Sequence, residues 1–171
     1  MITSFTGTDL VYNILEAQLV GEIDGESISS YAVSGGRAGS KSSDVVHPLL
    51  ANNPYATGVK KASDKKKALP GGPIVMGRYS MKTHEKRPNM IRLIPDAANA
   101  MKKRDGFLIH GRGARGSDGC IVPTAFHDVL HLCKLVKARE AAGGSAPTLA
   151  VVAIGDFCAL DTRLDLLART A

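Results

Sequence analysis

A histidine and a cysteine stand ten residues apart in the run Ile109-His110-Gly111-Arg112-Gly113-Ala114-Arg115-Gly116-Ser117-Asp118-Gly119-Cys120-Ile121-Val122. A thiol attacks carbonyls only as its thiolate, and an ordinary cysteine with a pKa of roughly 8.5 is mostly protonated at neutral pH unless a base or a positive environment assists it. His110 supplies a base and Cys120 a nucleophile. Gly119 lets the chain turn sharply beside the thiol, so the backbone N–H groups of Gly119 and Cys120 are candidates for holding a developing oxyanion. Arg112 and Arg115 lie between base and nucleophile and carry the planar donors that grip a carboxylate. Ser117 can brace the turn or bond substrate. Asp118 puts a negative charge next to the thiol, which opposes its ionisation. The competing reading is a structural cysteine packed as a small core hydrophobe.

These residues carry a resemblance. His110-Gly111 followed by Ser117-Asp118-Gly119-Cys120-Ile121 is similar to the active-site signature of the L,D-transpeptidase catalytic domain, whose members cut and rejoin peptidoglycan stem peptides through a cysteine thioester. The short gap from histidine to cysteine most resembles the branch of type VI secretion effectors. Gly72-Pro73-Ile74-Val75-Met76-Gly77-Arg78-Tyr79 resembles the turn that precedes the family's catalytic segment, and Tyr31-Ala32-Val33-Ser34-Gly35 its opening strands. Two positions depart from the family pattern: Asp118 stands where relatives often carry histidine, and Val122 where they often carry arginine. The resemblance implies a mainly β domain with some helix (α+β), a β-sandwich with one helix after the cysteine. It implies Cys120 and His110 as the catalytic pair, with Gly111, Arg112, Arg115, Ser117 and Asp118 facing substrate. The expected substrate is the meso-diaminopimelate tetrapeptide stem, and no cofactor or metal is expected. The product would be a tripeptide (L,D-carboxypeptidase) or an exchanged or cross-linked stem (L,D-transpeptidase). A backbone carbonyl is the expected orienter of His110.

The elements that must position this pair are legible in outline. At 171 residues the chain fits one domain, residues 1–171, with a core that needs no metal or disulfide. Leu10 to Val20 reads as a strand pair, Gly21 to Gly25 as a turn, and Ser27 to Val33 as a further strand. Residues 35–71 form a long Gly, Ser, Asn, Lys and Pro-rich stretch without period, either a wall facing substrate or mobile surface. Its Asn52-Asn53-Pro54-Tyr55 is a turn by composition. The catalytic segment spans about 72–123. Met90 to Ile94 and Phe107 to Ile109 read as central strands, with Pro95 to Asp105 a brief helix or loop between them. After Pro123-Thr124, Phe126, Val129, Leu130, Cys133 and Val136 recur at helical spacing, and Gly143-Gly144 ends that helix. Thr148 to Ile154 is a strand and Asp161 to Arg169 a short terminal helix.

Composition narrows the partners. The content of 44% hydrophobic and 22% charged residues is that of a globular chain. No apolar run of about 18 residues is present, so no membrane insertion by a helix is expected. The net charge of +6 favours anionic partners, among them carboxylate-rich stem peptides. Lys60-Lys61 and Lys65-Lys66-Lys67 carry no interleaved aromatics, and no nucleic-acid signature accompanies them, so they read as a solvated loop. Of three cysteines, Cys133 falls on the helix's apolar stripe; Cys133 and Cys158 are either free thiols or a disulfide. His127 and His131 share a helix face at the spacing of a two-histidine metal site, but the glutamate of the metalloprotease motif is absent, and a polar face is the simpler reading. Met1 to Phe5 lacks a basic and apolar leader. A protein made in the cytoplasm, delivered by type VI secretion components and acting in a target cell's periplasm would need none, and its producer would need a cognate immunity protein. A non-catalytic peptidoglycan-binding module and a different cysteine amidase are the rival expectations.

Overall fold

A computed structural model describes residues 7–64 and 67–155 of the chain. Eight strands close into a barrel in the order β1 (Leu10–Asn13), β10 (Thr148–Val152), β6 (Gly77–Thr83), β7 (Met90–Pro95), β8 (Leu108–His110), β9 (Ile121–Pro123), β3 (Glu26–Ser34) and β2 (Gln18–Ile23), with β2 returning to β1. A separate ribbon pairs β4 (Ala62–Asp64) with β5 (Lys67–Leu69). One α-helix, α1 (Phe126–Ala141), follows the run from His110 to Cys120. The fold is therefore mainly β with one helix among the described residues. The strands close on themselves, where the resemblance implied a sandwich of two sheets.

Strand alternation builds the core. Ile28, Ser30, Ala32 and Ser34 of β3, Tyr79 and Met81 of β6, and Ile91 and Leu93 of β7 are the buried members of period-two patterns. Ile109 and Ile121 are fully buried within the same cluster, and each such side chain contributes about 1.5–3 kcal/mol. Helix α1 adds Val129, Leu132, Cys133 and Val136 to that cluster. Leu132 takes the inward place assigned from the sequence to Leu130, which is exposed together with Phe126. The helix ends as expected: Gly143 adopts φ +70°, and the Gly144 N–H donates to the Arg139 carbonyl at 3.1 Å.

Several boundaries differ from the sequence reading. Gly21 to Ile23 belong to β2, and the β2–β3 turn is only Asp24-Gly25, both at positive φ, as a two-residue hairpin requires. Pro123 closes β9 opposite Ala32 instead of opening the helix. Residues 96–105 contain no helix. The 35–71 stretch is a packed wall in its described parts. Ala38, Ser40, Asn53, Pro54, Ala56 and Thr57 are buried, Asn53 caps the turn at Pro54–Ala56 by accepting from the Tyr55 N–H, and Asn52 accepts from the Ser34 N–H at 2.6 Å. Cys158, the leader region and the terminal helix expected over 161–169 lie outside the described residues.

Two buried tyrosines make the fold sensitive to alkali. The Tyr12 hydroxyl donates to Asn52 and that of Tyr79 to the Val75 carbonyl. Burial pushes both phenols far above their ordinary value of 10.0. In the unfolded chain they ionise near pH 10 while the folded state keeps its protons, so unfolding is favoured as pH rises through that value. Thermal melts are expected to hold steady to about pH 9 and then fall, with a slope approaching about 1.4 kcal/mol per pH unit for each tyrosine. A midpoint unchanged to pH 11 would contradict this.

Candidate active site around Cys120

Strands β8 and β9 run parallel with Ile109 opposite Ile121. Because both isoleucines point into the core, the alternate residues Leu108, His110, Cys120 and Val122 face the other side. Continuing the register by one residue sets Cys120 opposite Leu108 and His110 one step further along, a diagonal separation of about 8 Å between Cα atoms from strand spacing and rise. His110 on β8 and Cys120 just before β9 thus lie on neighbouring segments.

His110 is oriented by its own neighbour. Its Nδ1 lies 2.7 Å from the Gly111 carbonyl oxygen. A carbonyl only accepts, so the contact requires the proton on Nδ1 and leaves Nε2 with its lone pair, the form a general base needs.

The turn before Cys120 is braced at every residue. The Ser117 hydroxyl, 1% exposed, donates to the Cys120 carbonyl at 2.5 Å and accepts from the Gly119 N–H at 3.0 Å. The Gly119 N–H is therefore engaged in the resting structure; of the two expected oxyanion donors, that of Cys120 stays at the sulfur. The Ser34 hydroxyl donates to the Gly119 carbonyl at 3.0 Å and accepts from the Ile74 N–H at 2.9 Å. One serine so joins the end of β3, the Gly-Pro-Ile turn and the turn before Cys120.

Arg104 is the residue that the sequence reading missed. It is 8% exposed, and its guanidinium donates to the carbonyls of Thr57 and Pro73 at 2.6 Å, Gly72 at 2.8 Å and Asp118 at 2.9 Å. It also lies over the Phe107 ring, 5.0 Å from the centroid. Gly119, at φ +141°, makes room: a Cβ there would come 2.5 Å from the Arg104 Nη2 and 2.6 Å from the Phe107 ring. In the sequence Arg104 ends the solvated-looking Lys102-Lys103-Arg104, and only the side-chain-free Gly71, Gly72 and Gly119 around its destination hint at its burial.

The electrostatics at the thiol are mixed. Burial is the largest influence on Cys120 and pushes its pKa up, and the Asp118 carboxylate adds to that; the Leu108 N–H, the Arg104 cation and its own N–H pull it down. The net direction is up, so the resting group is a neutral thiol that needs a base to react. Asp118 is held by Lys61 at 2.8 Å and by the Gly71 N–H at 3.2 Å. Asp118→Asn is expected to speed iodoacetamide alkylation of Cys120 at pH 8, because the carboxylate that opposes thiolate formation is gone. An unchanged or slower rate would show that the carboxylate does not act on the sulfur.

The remaining expected residues fall in different places. Cys120 lines a cleft of about 300 Å³ with the cations Lys60, Lys61, Lys103 and Arg104, the carboxylates Asp105 and Asp118, and Phe107. Arg115 is exposed and lines a neighbouring cleft of about 280 Å³ with Lys61 and Asp118. Arg112 donates to the Ser40 carbonyl at 3.0 Å and faces a third cleft beside Gly111. Val122 is fully buried against Gly39. A further cleft of about 900 Å³ lies around Asp9, Arg139 and Thr148, where Arg139 is bound by Asp9 and Asp24. It contains none of the expected residues.

Cys133 sits in the core, where burial raises its pKa. His127 pairs with Asp128 at 2.7 Å, and Asp128 accepts from the Ser30 hydroxyl. Among the described residues no group of three His, Cys, Asp or Glu side chains is placed to hold a metal ion, and no helix is long and apolar enough to cross a membrane. No family model, curated protein or solved structure matches this chain.

Proposed function

We propose that this protein is a cysteine enzyme of the L,D-transpeptidase kind, with an L,D-transpeptidase-like domain built on the barrel, which acts on meso-diaminopimelate tetrapeptide stems of peptidoglycan. The observation that carries the reading is the pairing of β8 with β9, which brings the segments of His110 and Cys120 side by side, with the His110 Nδ1 tied to Gly111 and the thiol in a cleft lined by lysines, Arg104 and two aspartates. His110 Nε2 takes the proton from Cys120, and the sulfur attacks the diaminopimelate carbonyl carbon. The carbonyl oxygen gathers negative charge near the Cys120 N–H, and Arg104 supplies a fixed positive charge close by. Collapse breaks the bond to the terminal D-alanine, whose amine leaves with the proton held by His110. The thioester is then resolved by water, or by the amine of a D-amino acid or a neighbouring stem. The four cations of the cleft outnumber its carboxylates Asp105 and Asp118, which suits a substrate rich in carboxylates.

The short gap between His110 and Cys120 supports the further reading that the protein is a type VI secretion effector, made in the cytoplasm, acting in a target periplasm and neutralised by an immunity protein. Purified protein incubated with tetrapeptide muropeptides is expected to remove D-alanine, with a mass loss of one residue. Directed to the periplasm of a host it is expected to stop growth, and left in the cytoplasm to be tolerated. Intact muropeptides bound without mass change by wild type and by Cys120→Ala alike would favour a binding module instead.

A further inference from the structure

The barrel is not closed along its whole length. Strand β3 pairs with β2 from Glu26 to Tyr31, but with β9 only through Ala32, Val33 and Ser34. The register decides which of its backbone groups are used. In an antiparallel pair the bonded residues alternate, and the Ala32 N–H donating to the Ala17 carbonyl at 2.8 Å sets the phase. Ile28 and Ser30 therefore turn their N–H and C=O groups toward β2, while Ser27, Ser29 and Tyr31 turn theirs the other way. There the Tyr31 carbonyl accepts from the Thr124 N–H at 2.9 Å, after which the chain leaves to form α1. The N–H groups of Ser27, Ser29 and Tyr31 and the carbonyls of Ser27 and Ser29 meet no hydrogen-bond partner among the described residues.

Natural sheet edges are defended by lysine, proline or a bulge. Residues 27–31, Ser-Ile-Ser-Ser-Tyr, carry none of these, and the side chains of Ser27, Ser29 and Tyr31 are exposed. Ser27, Ile28 and Ser29 also line the cleft of about 900 Å³ that holds Asp9 and Glu22, so there is room for a further chain beside them. The surroundings are acidic. No Lys or Arg occurs before Arg37, whereas Asp9, Glu16, Glu22, Asp24 and Glu26 do. The cations that give the chain its net charge of +6 all follow. Arg139 reaches back to bind Asp9 and Asp24. Glu22, directly across from Ser27, and Glu26 are exposed and bound by no cation among the described residues.

We propose that the edge of β3 docks an extended basic segment of a partner protein, which joins the sheet as an added strand. Main-chain bonds to Ser27, Ser29 and Tyr31 give the affinity, and lysines or arginines on the added strand meet Glu22 and Glu26. A second copy of this chain fits poorly, because it would bring two acidic sheets edge to edge. Ser27, Ser29 and Tyr31 do not line the Cys120 cleft, so the docked strand leaves the thiol open. The proposal stands independently of the thioester chemistry.

The probe is the peptide acetyl-Thr-Lys-Val-Lys-Val-Lys-amide, added at millimolar concentration to the full chain. Its controls are the peptide with glutamate in place of lysine and a form N-methylated at every residue. Amide hydrogen exchange followed by NMR gives the readout. In the protein alone the Ser27, Ser29 and Tyr31 amides are expected to exchange faster than those of Ile28 and Ser30, which are bonded to β2. The lysine peptide is expected to slow the first three at least about threefold, and neither control to do so. Glu22→Lys/Glu26→Lys changes two exposed side chains and should weaken the lysine peptide about tenfold. No protection by the lysine peptide, equal protection by either control, or unchanged binding to the variant would overturn the proposal. Amides at 27, 29 and 31 that are already as slow as their neighbours would overturn it too, because the edge would then be covered. Protection that rises with protein concentration in the absence of peptide would place a second copy on the edge instead.

Discussion

Cys120→Ala is expected to abolish loss of D-alanine from tetrapeptide stems, a fall on the order of 10⁴-fold or more, because no neighbouring side chain in the cleft can form a thioester in its place. His110→Ala should cost about 10²–10⁴-fold. The two differ in a diagnostic way. The thiol is held neutral by burial and by Asp118, so the histidine variant depends on hydroxide to ionise it and should regain rate steadily as pH rises toward 10. The wild-type rate should depend far less on pH over the same range, because His110 and not hydroxide takes the thiol proton. Steady-state rates on a defined muropeptide, from pH 6 to 10, check both statements. A histidine variant whose pH profile runs parallel to that of wild type would remove His110 from the role of base.

The second large effect concerns Arg104. Its guanidinium is buried and spends four donors on carbonyls of the 35–71 wall, the Gly-Pro-Ile turn and the catalytic turn. Arg104→Met leaves those carbonyls without partners and removes the cation from the thiol. The expected loss is about 3–5 kcal/mol of stability, a drop of about 10 °C in melting temperature for a domain of this size. Arg104→Lys keeps the charge but not the fork, so it should fall between the two. Thermal denaturation followed by circular dichroism measures this, and a methionine variant melting within about 2 °C of wild type would show that the arginine does not hold the three segments together.

What could be read in the sequence follows the reach of each signal. The strands around the site announce themselves by short apolar runs, and Ile109 and Ile121 do point inward as such runs require. That His110 and Cys120 come from neighbouring segments follows from the pairing of β8 with β9, a parallel pairing that the short glycine-rich connection did not announce. The orienting carbonyl was expected in kind, and Gly111 supplies it. Asp118 was expected to oppose ionisation of the thiol and does.

The misses are non-local. Barrel closure rests on β1 pairing with β10 across nearly the whole described chain, which no window of sequence contains. Leu130 and Leu132 are equivalent by composition, and only packing against the strands decides which turns inward. Arg104 looks like its solvated neighbours, because its partners are backbone carbonyls that carry no residue signature. The Gly119 N–H looked free for an oxyanion, since a serine two residues earlier gives no hint in sequence that its hydroxyl will accept that proton.

The most direct measurement is the intact mass of the protein after brief incubation with tetrapeptide stems, quenched in acid, followed by peptide mapping. The account predicts an adduct equal to the stem minus its terminal D-alanine, located on Cys120, sensitive to hydroxylamine and absent from Cys120→Ala. Turnover of the stem with no adduct under single-turnover conditions, or an adduct on any other residue, would contradict the claim that Cys120 is the nucleophile.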